Sequence, residues 1–200
     1  MKNDYIDSFI GESIEILQLI DKQEILKVLD ILHMTKSQGG RIFFCGSGGG
    51  AGHSSHAAAD FRKIAGIESY SVSDNISELT ARINDESWND SYSGWLQASR
   101  LNSRDCIFII SVGGGDAERN ISGNLVSAIN LASKVGSKIV GIVGRDGGEL
   151  KKKANACILI PTVNPANVTT QVEGFQALIW HLLVCHPVFE GATPKWEATI

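Results

Sequence analysis

Proline occurs only 4 times in 200 residues, which leaves no room for a proline-rich linker or a collagen-like repeat. Cysteine also occurs 4 times, at Cys45, Cys106, Cys157 and Cys185, with no CxxC or zinc-ribbon spacing. Three of these lie in apolar, strand-like runs and read as buried free thiols. Cys45, at the lip of a glycine loop, has the only address where a thiol could be activated. Long apolar runs are missing too. None approaches the roughly 18 residues that span a bilayer, and the opening MKNDYIDSFIGESIEI mixes acids into its apolar pattern, unlike a secretory signal. Positive charge is scarce: Lys and Arg number 18 against 22 Asp and Glu, a net −4, with no basic block beyond Lys151, Lys152 and Lys153. A nucleic-acid footprint and a membrane span are therefore not expected, and the chain reads as a cytoplasmic protein.

What the chain has in excess is glycine, 21 residues of 200, against an average of about 7%. Twelve of them fall in three stretches, Gly46 to Gly52, Gly113 to Gly115 and Gly141 to Gly148. The length suits one domain over 1–200, with an irregular tail at 188–200.

Apolar residues at helical spacing (Ile6, Phe9, Ile10, Ile14, Leu17, then Ile25, Leu26, Leu29, Leu32) predict two helices within 1–38, broken near Asp21 and available for packing or oligomerisation. Strands are then predicted at 41–45, 69–73, 105–112, 138–144 and 156–161. Helices are expected at 52–65, 76–83, 92–100, up to about 135, near Leu150, and at 169–186. Near-continuous apolar strands separated by helices argue for an α/β fold, a doubly wound parallel sheet of the flavodoxin-like kind with helices on both faces. Ligands of such sheets bind beyond the carboxyl ends of the strands, where all three glycine clusters fall.

A loop such as CGSGGGAG lets backbone N–H groups approach an anion, and the helix after it adds its positive dipole end. Gly46, Gly48 and Ala51 also satisfy G-x-G-x-x-A, with Asp74 after the next strand, so a dinucleotide fold is a rival reading. His53, His56 and Asp60 follow the first loop, His56 and Asp60 being four apart and on one helix face, where they can share a metal. The last helix carries Glu173, Gln176 and His181. Glu173 and His181 are eight residues apart, about 12 Å along a helix, too far to be adjacent ligands.

These residues resemble the sugar isomerase (SIS) domain family, and within it the phosphoheptose isomerases. The resemblance rests on G-R-I-F-F-C-G-S-G-G, H-A-A-A-D-F, an I-N-D turn at Ile83 to Asp85, I-S-V-G-G-G, V-G-R-D-G-G and the closing I-W-H, and it covers nearly the whole chain. It implies isomerisation of sedoheptulose 7-phosphate to a D-glycero-D-manno-heptose 7-phosphate for surface heptose biosynthesis. It also implies Zn²⁺ held by His56, Asp60, Glu173 and His181, and a homotetramer with sites shared between subunits. Ser47, Gly48, Gly49, Asp60, Asn84, Asp85, Ser111, Val112, Gly113, Asp116 and Glu173 fall on substrate-contacting positions.

Asp60 is implied as base and His181 as partner acid, although a ligating Asp60 cannot serve freely as base, so the roles are exclusive or sequential. The second loop departs from the family. Val112 and Gly113 lose hydroxyls, and Asp116 replaces a phosphate-contacting serine, leaving Arg119, Arg62 or Arg145 as compensating cations. A non-catalytic SIS module that binds a phosphosugar or a partner protein, and an isomerase of a related sugar, are the alternatives.

Overall fold

The structure is a computed structural model that describes residues 2–189. Helices α1 (Lys2–Leu19) and α2 (Lys22–Ser37) come first. Between them the Asp21 side chain accepts from the Gln23 N–H at 2.8 Å, capping one of the free amides that every helix start exposes. Five strands follow, β1 (Ile42–Gly46), β2 (Ser69–Ser71), β3 (Cys106–Ile110), β4 (Lys138–Val143) and β5 (Ala156–Leu159). They are interleaved with α3 (Gly49–Lys63), α4 (Ile76–Asp85), α5 (Ser91–Ala98), α6 (Gly123–Val135), α7 (Gly148–Lys153) and α8 (Val168–Val184).

All strand pairs are parallel, in the order β2-β1-β3-β4-β5. This is the flavodoxin-like order, in which the crevice opens where the winding reverses, between β1 and β3. A dinucleotide-binding half-sheet instead places β2 between β1 and β3, in the order 3-2-1. Here β3 pairs β1 directly and β2 is an edge, so the rival reading of the first glycine loop has no topology to support it.

Strand residues alternate between two cores. Ile42, Phe44, Phe108, Ile110 and Ile142 face α1, α2, α3 and α8, with the Phe44 ring 5.4 Å from that of Phe61 and 5.1 Å from that of Phe108. Phe43, Cys45, Ile107, Ile109 and Ile139 face α5, α6 and α7. Each fully buried side chain of this size stabilises the fold by about 1.5–3 kcal/mol relative to an exposed one.

The strands lie within a few residues of their expected bounds, because a fully buried strand is an apolar run with abrupt ends. Helix boundaries differ more. α3 begins at Gly49 rather than 52, since Gly48 takes the cap position at φ +58, which glycine tolerates. The expected turn at Ile83 to Asp85 is the last turn of α4 instead. Between β3 and α6 the chain makes an unforeseen hairpin, in which Asp116 and Ile121 exchange backbone hydrogen bonds of 2.9 and 3.0 Å. Of the expected irregular tail, Val188 and Phe189 are described, Phe189 being buried against Phe61. The rest lies outside the described residues.

Candidate active site

α3 and α8 lie side by side and run in the same direction, so their residues meet in chain order. A Cβ on Gly49 would stand 2.6 Å from Glu173 Oε1. His53 Nδ1 donates to Gln176 Oε1 at 3.0 Å, and the Gln176 amide donates onward to the Ser111 carbonyl at 3.0 Å, tying α8 to the end of β3. Further along, Asp60 meets Trp180 and His181. Gln176 and Trp180 are buried, so this seam is rigid.

Asp60 is 6% exposed and its Oδ2 carries three neighbours. His56 Nε2 lies 3.5 Å away, His181 Nε2 3.4 Å away, and the Trp180 indole N–H donates across 3.3 Å. His181 Nδ1 donates to the Ala177 carbonyl across 2.7 Å, which orients the ring so that Nε2 is turned to the carboxylate. Two imidazole nitrogens facing one carboxylate oxygen need a proton or a cation between them. His56, Asp60 and His181 offer ligand atoms that all lie within 4.8 Å of one another. Glu173 is not in this group. Eight residues of helix rise carry it back to the start of α3, so the four-residue set expected for the metal reduces within one chain to three donors.

The second locus is the carboxyl-end rim of β1, β3 and β4. A cavity of about 830 Å³ opens there, and Ser47, Ser111, Val112, Gly113 and Asp116 all line it. Ser47 Oγ accepts from the Asn124 amide at 3.1 Å and also bonds the Tyr92 phenol, which fixes the serine at the cavity wall. The Asn124 Oδ1 is buried without a partner among the described residues. Ser111 Oγ is engaged by the Gly114 N–H at 3.1 Å.

Asp116 is turned back on its own hairpin. Its carboxylate accepts from the Arg119 backbone N–H at 2.9 Å and side chain at 2.7 Å, and these donors hold its pKa below the usual carboxylate range. Of the other proposed compensators, Arg62 is bonded to the Ser69 carbonyl and stacked over Tyr70, away from the cavity lining.

Asn84 and Asp85 are exposed at the end of α4 and bonded to each other at 2.6 Å, outside the cavity lining. Cys45 is fully buried, and desolvation pushes its thiol far above the usual range, so it is a core residue and no nucleophile.

The glycine clusters differ in what they do. A Cβ on Gly114 would collide with the Gly147 carbonyl, and one on Gly148 with the carbonyls of Gly113 and Gly115. The second and third loops therefore touch backbone to backbone. The first amides of α7 are spent there: Glu149 N–H donates to the Gly115 carbonyl at 2.9 Å and Leu150 N–H to that of Gly114 at 3.1 Å.

Against known proteins, the pattern of the SIS domain matches residues 5–144. The chain belongs to the SIS domain family. A phosphoheptose isomerase of Helicobacter hepaticus is 32% identical over 164 residues, 80% of this chain and 78% of that one. The lincomycin biosynthesis protein LmbN of Streptomyces lincolnensis is 30% identical over 163 residues, 76% of this chain, which spans 58% of that longer relative. The phosphoheptose isomerase GmhA of Neisseria gonorrhoeae shares the fold, with a TM-score of 0.77 at 22% identity over 92% of this chain and 97% of that one.

In this SIS domain three residues of the two loci escaped the sequence reading. Trp180 is one of them, and its signal was the indole N–H, which usually takes an acceptor when buried. Asn124 and Ser122 were missed because the hairpin before α6 was not foreseen. Ser122 is the residue just before α6, with no cap bond from its side chain, and it lines the cavity. A serine immediately before an amphipathic run was the available signal.

Proposed function

We propose that this SIS domain is an aldose–ketose isomerase of a phosphorylated heptose, interconverting sedoheptulose 7-phosphate and a D-glycero-D-manno-heptose 7-phosphate for surface heptose biosynthesis. The observation that carries the reading is the convergence of His56, His181 and Trp180 on Asp60 Oδ2, in a chain whose relatives include phosphoheptose isomerases.

His56, Asp60 and His181 fit a divalent cation, because two imidazoles and one carboxylate with a position left open is a donor set that zinc takes in catalytic sites. When bound, zinc would polarise the sugar's carbonyl and hydroxyl oxygens. The contacts on Asp60 fall on Oδ2, which leaves Oδ1 to take the proton from the carbon beside the carbonyl and return it to the neighbouring carbon. His181 has one basic nitrogen, Nε2, and that atom moves the proton between the two sugar oxygens. Holding a cation and moving a proton are exclusive duties for one nitrogen, so His181 Nε2 serves as the proton carrier only where His56 and Asp60 would hold the cation without it.

The sugar's phosphate end belongs in the rim cavity, among Ser47, Ser111, Ser122 and Gly113. Asp60 is 12 residues along α3 from Gly48, about 18 Å at 1.5 Å per residue, farther than a heptose reaches. The reading therefore includes a homotetramer in which the rim of one protomer meets the Asp60 pair of another. Glu173, at the rim end of α8, is then offered to the sugar. The exposed stripe Ile6, Ile10, Ile14 and Leu17 on α1 is the surface available for such packing. The whole chain acts as one domain, and a cytoplasmic location is part of the same proposal. No helix of the described residues is long and apolar enough to cross a membrane.

Incubating zinc-loaded protein with sedoheptulose 7-phosphate, with and without a chelator, tests it. Chelator-sensitive formation of an aldose is expected, and its absence from well-folded protein overturns the reading. The hairpin at 116–121 beside the cavity favours a second reading, an isomerase of a related phosphosugar, which the same assay separates by substrate panel.

A further inference from the structure

Four basic side chains border the rim cavity, and two of them are already neutralised. Arg119 is paired with Asp116 at 2.7 Å and Lys152 with Glu149 at 2.7 Å. Lys151 lines both this cavity and a second one beside β5, so its ammonium is shared between them. Arg145 is different. It has no hydrogen-bond or ion-pair partner among the described residues, and the carboxylate next to it, Asp146, is engaged by the Gly148 N–H at 3.1 Å. The remaining lining carboxylate, Glu118, is exposed at the hairpin.

The backbone of Arg145 is also unusual. Its φ of +53 lies in the left-handed region, which a residue with a Cβ adopts only at a cost. That conformation brings Nη1 to 3.7 Å from where a Cβ on Gly113 would stand, so the guanidinium lies over the floor formed by Val112 and Gly113. Val112 and Gly113 bring no hydroxyls to this floor, and those of the cavity are on Ser47, Ser111 and Ser122 around it. The α7 amides that could otherwise take an anion are committed to the Gly114 and Gly115 carbonyls.

We propose that Arg145 is the specificity-determining residue of the rim cavity, gripping the substrate's phosphate with its planar, two-pronged guanidinium in place of side-chain hydroxyls on the floor. The inference rests on the phosphosugar reading above and assigns the group that recognises the anion.

Arg145→Gly is the informative variant, because glycine accepts the left-handed backbone and removes only the side chain. Its melting temperature is expected to match or exceed that of the unaltered protein, whereas a merely structural arginine would leave it lower. KM for sedoheptulose 7-phosphate is expected to rise roughly tenfold or more, the scale of one charge-assisted pair, with kcat little changed. Arg145→Lys is expected to fall between, since a point charge lacks the fork. Binding of inorganic phosphate, followed by phosphorus-31 line broadening, reads the same grip without catalysis and is expected to vanish in Arg145→Gly. If the protein isomerises the sugar and Arg145→Gly leaves KM unchanged, this inference fails and the isomerase stands. If no sugar is isomerised but phosphate binds only when Arg145 is present, the isomerase fails and this inference stands. Phosphate binding that survives Arg145→Gly overturns it in either case.

Discussion

Trp180 donates its indole N–H to Asp60 Oδ2 across 3.3 Å, within the seam between α3 and α8. Both side chains are buried, so this hydrogen bond has no water to replace it. Trp180→Phe keeps most of the packing and removes the donor. It is expected to lower stability by about 1.5–3 kcal/mol, the range for a hydrogen bond to a charged group, and to reduce kcat by loosening the carboxylate. Urea denaturation together with steady-state kinetics checks both halves, and an unchanged kcat would show that the indole only packs.

Asp60→Asn and His181→Ala remove the groups assigned to proton transfer. Each is expected to reduce kcat by roughly 10²–10⁴-fold with the circular dichroism spectrum unchanged. Elemental analysis of the same preparations is expected to find zinc in the unaltered protein and its loss in both variants, because each removes one of the three donors that converge among the described residues. Dialysis against a chelator is expected to abolish activity, and added zinc to restore it.

Glu12, on α1, is 8% exposed and accepts from the side-chain amides of Asn167 at 2.8 Å and Asn164 at 2.7 Å. These donors hold its pKa below the ordinary carboxylate value. A depressed folded-state pKa contributes stability that is present above the unfolded value, about 4.3, and is lost as pH falls through the lower folded value. Stability measured in urea is therefore expected to drop as pH is lowered from 5 through this window, and Glu12→Gln to flatten that drop. A parallel slope in the variant would assign the acid sensitivity elsewhere.

Two glycine substitutions separate crowding from flexibility. Gly114→Ala places a Cβ against the Gly147 carbonyl at a φ of +73, and is expected to destabilise by about 1–3 kcal/mol or more. Gly11→Ala, in α1 with nothing within 4 Å of the new methyl group, is expected to stabilise by about 0.5–1 kcal/mol. Thermal melts of the pair are the measurement.

The sheet was readable because RIFFC, DCIFIISV and KIVGIVG are buried on both faces and leave no alternation to misread. His56 with Asp60 was readable for a local reason: residues four apart on a helix share a face wherever the helix goes. Pairing Asp60 with His181 required α8 to lie along α3, a contact between distant segments that residue spacing does not encode. Glu173 shows the limit from the other side. Its carboxylate suits a metal, but helix rise holds it at Gly49, beyond reach of the donors two turns on. Asp116 was read against a continuous loop, whereas the hairpin at 116–121 turns its carboxylate onto Arg119 and brings Ser122 to the start of α6.

The mutual docking of the Gly113–Gly115 and Gly147–Gly148 segments has a kinetic consequence. Each segment satisfies polar groups of the other, so neither can swing aside without stranding amides and carbonyls away from water. The cavity mouth is therefore already assembled, and if it takes an anion as proposed, little ordering entropy remains to oppose capture. In the proposed phosphate reading, encounter is set by diffusion and by the field of Arg145, so the association rate is expected to depend on ionic strength rather than on loop closure.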